Sequence, residues 1–237
     1  MCTVTYFPLQ DNGFILTSNR DESVLRKTAL PPAKYNINET TVFFPKDQEA
    51  NGTWIATSLN NYTLCLLNGA FETHVHQPPY KKSRGLMLLD LFLYKNVNDY
   101  VAQYDFSNIE PFTLVIVCNS KELELLELRW DGNQKYFKKL PSNKPIIWSS
   151  VTLYKKETIM QREEWFNDWL NKNSVYTTEE ILFFHHFAGN GDMKKNLIMD
   201  IQEKKTVSIT SIVHENLSRT IVYEDLINKV LKRCRIY

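Results

Sequence analysis

Apolar and polar residues alternate over 2–8 and again over 14–18, with Asp11-Asn12-Gly13 between them. That is the pattern of two strands joined by a tight turn, and Asn-Gly is expected to supply the positive φ angles such a turn needs. A second pair is predicted at 53–58 and 62–67, entered through Asn51-Gly52 and turning at Asn60-Asn61. The segment between the pairs, with Pro31-Pro32 and the brief Val42-Phe43-Phe44 run, reads as a loop. After Ser83-Arg84-Gly85 the apolar density of 86–96 predicts a mostly buried helix, continued over 97–105.

Beyond Pro111 the run "FTLVIVC" reads as a buried strand, and 122–130 with 134–140 as a hairpin through Asp131-Gly132-Asn133. Helical spacing returns at 155–171 and 177–187, where Thr177 and Glu180 have capping-box spacing, and Gly189-Asn190-Gly191 ends the pair. Strands are expected near 196–201, 205–213 and 219–224, the last two joined through His214-Glu215-Asn216, with a short helix closing the chain. Hairpins and helices in this alternation predict an α+β fold of antiparallel sheets covered by helices. The absence of repeats or linkers predicts a single domain over 1–237.

Charge changes little in that picture. Lys plus Arg number 28 against 27 Asp plus Glu, so no strong field argues for nucleic acid or an anionic membrane as partner. No basic and apolar leader opens the chain and no run of about 18 apolar residues follows, so no membrane insertion and a cytoplasmic location are expected. Cys2, Cys65, Cys118 and Cys234 have no CxxC spacing and are expected as free thiols in a reducing compartment. His74-Val75-His76 and His185-His186 have no third ligand at recognisable spacing, so no metal is expected. Trp54, on an apolar strand, is expected in the core, and the aromatics of "EEWFNDWL" and "EEILFFHHF" in helix packing.

The chemistry is concentrated at the start of the chain. Cys is small enough for removal of Met1, and residue 2 would then carry a thiol and a free α-amine with ordinary pKa values of about 8.5 and 7.7–8.0. Nucleophile and base would sit in one residue. A tight hairpin brings positions 20–21 opposite position 2, where the Asp21 carboxylate can orient the amine and the Arg20 guanidinium can favour the thiolate or hold a substrate anion. A charged strand end with a local ion pair is the plainer reading of the same residues.

Four stretches in order carry a resemblance: "SNRDES" at 18–23, "NGTWIA" at 51–56, "LLNGAF" at 66–71 and "KSRGLMLLDLF" at 82–92, together with Met1-Cys2. In these the chain resembles the NRDE family, which includes the Transport and Golgi organisation proteins; "KTVSITSIVHENLSRTIVYEDL" at 205–226 resembles its closing hairpin. The resemblance implies a fold similar to N-terminal nucleophile hydrolases, a four-layer αββα sandwich of two antiparallel sheets flanked by helices. It implies Cys2 as nucleophile, Asp21 on the amine, Arg20 by the thiolate and Asn68 as oxyanion donor. The register is open by one residue, so Asn19 or Glu22 can replace either charged partner.

Two positions depart from the family pattern. Ser150 stands where relatives have Asn, and Val207 where an Arg is often found. Arg84, at a helix start, is an additional candidate for an anionic substrate group or, equally, a solvated loop charge. The resulting expectation is a thiol amidohydrolase or acyltransferase acting on a small amide C–N bond through a Cys2 acyl-enzyme, without a cofactor. The alternative is a carrier or chaperone using the same cleft for haem or an acyl lipid.

Overall fold

The computed structural model describes residues 3–59, 62–120, 122–173, 175–215 and 218–236. They form two compact units, one from Met1–Arg26 and Asn143–Tyr237, the other from Lys27–Ser142. Each holds one seven-stranded sheet in which neighbouring strands pair antiparallel.

The first unit opens with β1 (Thr3–Pro8) and β2 (Phe14–Ser23). Their turn is where the pattern put it, but Asp11 (φ 53°) and Asn12 (φ 58°) take the left-handed conformation, not Gly13. Gly13 is needed for room: a Cβ there would lie 2.9 Å from the carbonyl oxygens of Gln10 and His214. The sheet runs β10 (Ile146–Ser149), β1, β2, β12 (Lys204–Glu215), β13 (Ser218–Asp225), β14 (Val230–Ile236), with β11 (Asp200–Ile201) on β12. Helices α3 (Lys156–Lys172) and α4 (Thr178–Phe187) cover one face through Phe7, Ile15, Phe166, Ile181, Phe184 and Leu197.

In the second unit the order is β3 (Leu30–Ile37), β4 (Thr40–Lys46), β5 (Ile55–Ser58), β6 (Tyr62–Asn68), β7 (Phe112–Cys118), β8 (Glu124–Trp130), β9 (Lys135–Leu140). Helices α1 (Arg84–Asp90) and α2 (Val97–Gln103), joined through a 3₁₀ turn at Leu91–Leu93, bury Met87, Leu88, Leu91 and Tyr100. Trp54 lies in this core, as its strand pattern predicts. Gly52 and Gly85 meet here, since a Cβ on Gly52 would come within 2.5 Å of the Gly85 backbone. The "NGTW" and "SRG" stretches therefore hold the start of α1 against the entry to β5.

Three expectations need correction. The closing helix is the edge strand β14: seven residues gain more by pairing with the open side of β13 than by an isolated helix, and exposed Lys232, Arg233 and Arg235 blunt the edge. The loop containing Pro31-Pro32 is the β3–β4 hairpin. Its prolines sit on an edge strand with a register shift between Leu30 and Ala33, where missing N–H donors cost no ladder bond. The strand expected at 196–201 shrinks to Asp200–Ile201, and β10 lies in a stretch the pattern left unassigned. The Asn60-Asn61 turn and Asn216 lie outside the described residues.

Candidate active site

Cys2 lies outside the described residues, so the site is built from what surrounds its chain neighbour. Thr3 starts β1 and pairs with Asn19 of β2 on one side and Ser149 of β10 on the other. Asn19, Arg20, Asp21, Glu22 and Ser150 thus gather in the first unit around the start of β1. Asn68 and Arg84 belong to the second unit.

Asp21 is buried, and its carboxylate accepts hydrogen bonds from Tyr154 Oη at 2.5 Å and from the Thr206 hydroxyl. The pairing of β2 with β12 shifts register between Thr206, opposite Asp21, and Ser208, opposite Arg20, so Val207 occupies a bulge. Such a bulge re-aims side chains on either side of it. Here it lets Asp21 and Arg20, on opposite faces of β2, each face a hydroxyl-bearing residue of β12. Arg20 is 3% exposed, with Nη2 3.6 Å from Glu22, which also lies 3.6 Å from Arg26.

Asn19 is wholly buried. Its amide donates to the carbonyls of Leu197 (2.9 Å) and His185 (3.3 Å), and its oxygen lies 2.6 Å from His185 Nδ1. With both amide hydrogens donated, that oxygen must accept, so His185 carries its proton on Nδ1 and its Nε2 accepts from Thr5 Oγ1 at 2.7 Å. Burial, with His186 and Arg162 adding to it, pushes the imidazole down to about 3, and this neutral tautomer persists. Asn19 therefore ties β2 to α4. Ser150, 1% exposed, lies 3.1 Å by its hydroxyl from Thr152 Oγ1.

Sequence reasoning passed over Arg162, Tyr154, Thr206 and His185. Arg162 is 0% exposed and donates from Nη1 to Thr3 Oγ1 at 2.6 Å, from Nε to the Lys195 carbonyl at 2.8 Å and from Nη2 to the Asn196 carbonyl. Its guanidinium lies 3.7 Å over the Tyr154 ring. One signal was available: Thr158, Arg162 and Phe166 recur every four residues on the buried face of α3, and a charge on that stripe needs a reason.

In the second unit Asn68 ends β6 opposite Phe112 and is followed by Gly69 at φ 82°. The Arg84 guanidinium lies 3.0 Å from Glu110 and donates to the Pro111 carbonyl at 3.1 Å. His74 and His76 meet the same carboxylate at 3.1 and 3.2 Å. Burial works against the charge, but Arg84 and the histidines hold the Glu110 carboxyl below its ordinary value. Among the described cysteines Cys65 and Cys118 are buried free thiols, and burial pushes Cys118 up to about 12, which leaves it unreactive. No helix among the described residues is long and apolar enough to cross a membrane.

Two antiparallel sheets with flanking helices, in this order of elements, define the fold of the N-terminal nucleophile hydrolases. The chain superposes on a C2A mutant of conjugated bile acid hydrolase from Clostridium perfringens at 10% identity and a TM-score of 0.61, covering 100% of this chain and 92% of that one. The N-acylethanolamine-hydrolyzing acid amidase ortholog of Caenorhabditis elegans gives 12% identity, 89% and 92% coverage and a TM-score of 0.58. Penicillin V acylase from Agrobacterium tumefaciens gives 11%, 99% and 86% coverage and 0.50. No curated protein matches the sequence. The model of the Transport and Golgi organisation 2 family matches residues 1–226, and the chain belongs to that family.

Proposed function

We propose that the protein hydrolyses, or transfers the acyl group of, a small amide through an acyl-enzyme on Cys2. The observation that carries this reading is the buried Asp21 carboxylate, held by Tyr154 and Thr206 on the strand beside β1, with residue 2 bonded to the Thr3 that pairs with Asn19 and Ser149. Loss of Met1 leaves Cys2 with a free amine. That amine takes the thiol proton while sulfur attacks the amide carbon, and it returns the proton to nitrogen as the C–N bond breaks. Water then attacks the thioester, giving the acid and the thiol; in transfer, a second amine takes the place of water.

Each side chain has a role in that sequence. Asp21 orients the amine, and Arg20 favours the thiolate. Asn68 keeps the role the resemblance gives it, donor to the oxyanion. Asn19 and Glu22 act through their neighbours, Asn19 by fixing β2 and Glu22 by pairing with Arg20. Arg84 and Ser150 serve substrate binding. The acid amidase and penicillin V acylase are named for amide or acyl chemistry, and the bile acid protein for hydrolysis of a conjugate, which agrees with this class of substrate. A reducing, cytoplasmic setting keeps the thiol free.

Intact mass comes first, and one methionine less than the encoded chain is expected. A panel of N-acyl amino acids, N-acylethanolamines and penicillin V then supplies substrates. Cys2→Ala is expected to lose on the order of 10³-fold or more of any turnover found; full turnover by that variant sinks the proposal. A second reading draws on Ser150 and Val207, which lack the amide usual in the family pattern and the guanidinium often found in it. In it the fold carries haem or an acyl lipid without turnover. A Soret shift with haem, or thermal stabilisation by an acyl ligand in a protein retaining Met1, favours it.

A further inference from the structure

The aromatic residues of α3 and α4 fall into two groups. Phe166 and Phe184 are buried and, with the partly buried Trp169, interlock with Phe7 beneath the helices, as their spacing predicts. Phe183 and Phe187 stand outside that packing: they are 62% and 69% exposed, one helical turn apart, with ring centroids 4.6 Å from each other. Together with Trp165 and Trp169 they line an open cavity of about 260 Å³ between the two helices. The charged side chains on its wall are Asp168 and Lys172, also one turn apart, and neither has a hydrogen-bond or ion-pair partner among the described residues.

We propose that this cavity binds a small soluble zwitterion built on a quaternary ammonium, a phosphocholine-like molecule. The ammonium lies among the aromatic rings and Asp168, and the anionic group lies on Lys172. Aromatic faces carry the negative side of the ring quadrupole, and a quaternary ammonium, which has no N–H to leave unsatisfied, is the cation best suited to them. Asp168 supplies a full opposite charge. Ala188 and Gly189 line the cavity where α4 ends, which brings the partial negative charge of the helix C-terminus to the same place.

Both charges on the wall need an explanation, and that selects the ligand. An ammonium ion alone would meet Lys172 as a like charge, and an uncharged apolar ligand would use neither group. A zwitterion uses both: helix positions i and i+4 hold their Cβ atoms about 5–6 Å apart, the scale on which a small zwitterion separates its own charges. The volume is just under the range of about 300–1,000 Å³ typical of drug-sized ligands, which suits a compact headgroup and not a long acyl chain. The free molecule is therefore the proposed occupant, and a choline lipid in a bilayer, which shares the chemistry, is one arm of the test. Nothing in the argument depends on residue 2, so it stands or falls apart from the proposed reaction.

Binding is measured by titration calorimetry with phosphocholine, choline, phosphatidylcholine vesicles and dimethylbutanol, the uncharged choline isostere with carbon in place of nitrogen. Phosphocholine is expected to bind with a dissociation constant of about 1 mM or below, choline roughly two- to fivefold more weakly, and dimethylbutanol weaker again by a similar factor. No saturation by phosphocholine at about 10 mM overturns the proposal. So does a dimethylbutanol affinity equal to that of choline, which would mean an apolar hollow blind to charge. Vesicle binding without binding of free phosphocholine overturns it as well, since the occupant is then a membrane surface.

Three substitutions assign the parts, and because Asp168, Lys172 and Phe187 are exposed, each variant is expected to fold. Phe187→Leu, which keeps apolar area but removes a ring face, weakens choline and phosphocholine by about two- to fivefold and leaves dimethylbutanol nearly unchanged. Asp168→Asn weakens the same two probes by about two- to fivefold. Lys172→Gln removes the advantage of phosphocholine over choline, while choline itself binds no worse. Unchanged affinities in Phe187→Leu and Asp168→Asn, or a phosphocholine advantage that survives Lys172→Gln, overturn the assignment.

Discussion

The two units carry sheets of equal strand number and the same antiparallel pairing, but their interiors differ. In the second unit the buried side chains of β5 to β8 are mostly apolar, among them Ile55, Leu64, Leu66, Leu114, Ile116 and Leu128. Its buried acid Glu127 is met directly by Arg129 at 2.9 Å and Lys138 at 3.1 Å. The first unit buries Arg20, Asp21, Arg162 and His185 close to one strand end. Neutral oxygens accept from Arg162, and two hydroxyls donate to Asp21. Burying several ionisable groups at one place costs stability that a packed apolar core would not lose. The comparison thus separates a unit built for packing from one that gives up stability at a definite place, and the place is where residue 2 attaches.

The most disruptive way to attack that contrast is His185→Leu. It leaves the Asn19 oxygen and the Thr5 hydroxyl buried without their partner, at about 1–3 kcal/mol each, so a loss of roughly 2–6 kcal/mol is expected in urea denaturation at pH 7. A loss below about 1 kcal/mol would mean the network is dispensable. The same pair of proteins gives a pH test. The folded-state value of His185, about 3, lies below its ordinary 6.5, so the unfolded chain takes up the proton first. This contribution is complete above about pH 6.5 and is lost as pH falls toward 3, with a slope approaching about 1.4 kcal/mol per pH unit. The stability gap between parent and His185→Leu should therefore narrow between pH 7 and pH 5; a constant gap would mean that His185 is not held neutral.

What was legible beforehand follows the range of the interactions. The β1–β2 turn, the capping box of α4 and the buried strand at 112–118 depend on neighbours a few residues away, and their residues announce them. Strand β14 and the β3–β4 hairpin depend on a sheet edge to pair with, which local pattern does not contain. The site divides in the same way. Arg20 and Asp21 were nameable because a hairpin folds them back on residue 2, whereas Arg162 reaches Thr3 across 159 positions and the carbonyls of Lys195 and Asn196 from an irregular loop. Only the break in the apolar stripe of α3 pointed to it.

A smaller effect is expected where the second unit is tightest. Gly85→Ala places a Cβ 2.7 Å from the Thr53 carbonyl oxygen, and the obstacle is backbone that no rotamer can clear. Overpacking of this kind costs about 1–3 kcal/mol. If the units differ as argued, Gly85→Ala lowers the denaturation midpoint while the pH midpoint of iodoacetamide alkylation of Cys2 stays where the parent has it. A variant that moves both would tie the packing of this unit to the ionisation of residue 2 and weaken the contrast.

The mildest variant sharpens the comparison most, because it alters the first unit without touching its buried network. Thr177 caps α4: its hydroxyl accepts from the Glu180 N–H at 3.2 Å, and the Glu180 carboxylate accepts from the Thr177 N–H at 3.0 Å. Thr177→Ala should cost about 1 kcal/mol, the usual value of an N-cap, read as a lower urea midpoint. His185 lies on the same helix two turns further on, so a general loosening of α4 would reach Asn19 and Arg20 by the same route as His185→Leu. Equal loss of stability with an unchanged pH profile of Cys2 alkylation would assign the ionisation of residue 2 to particular buried groups. A profile that moves in proportion to stability would assign it to the rigidity of the whole unit.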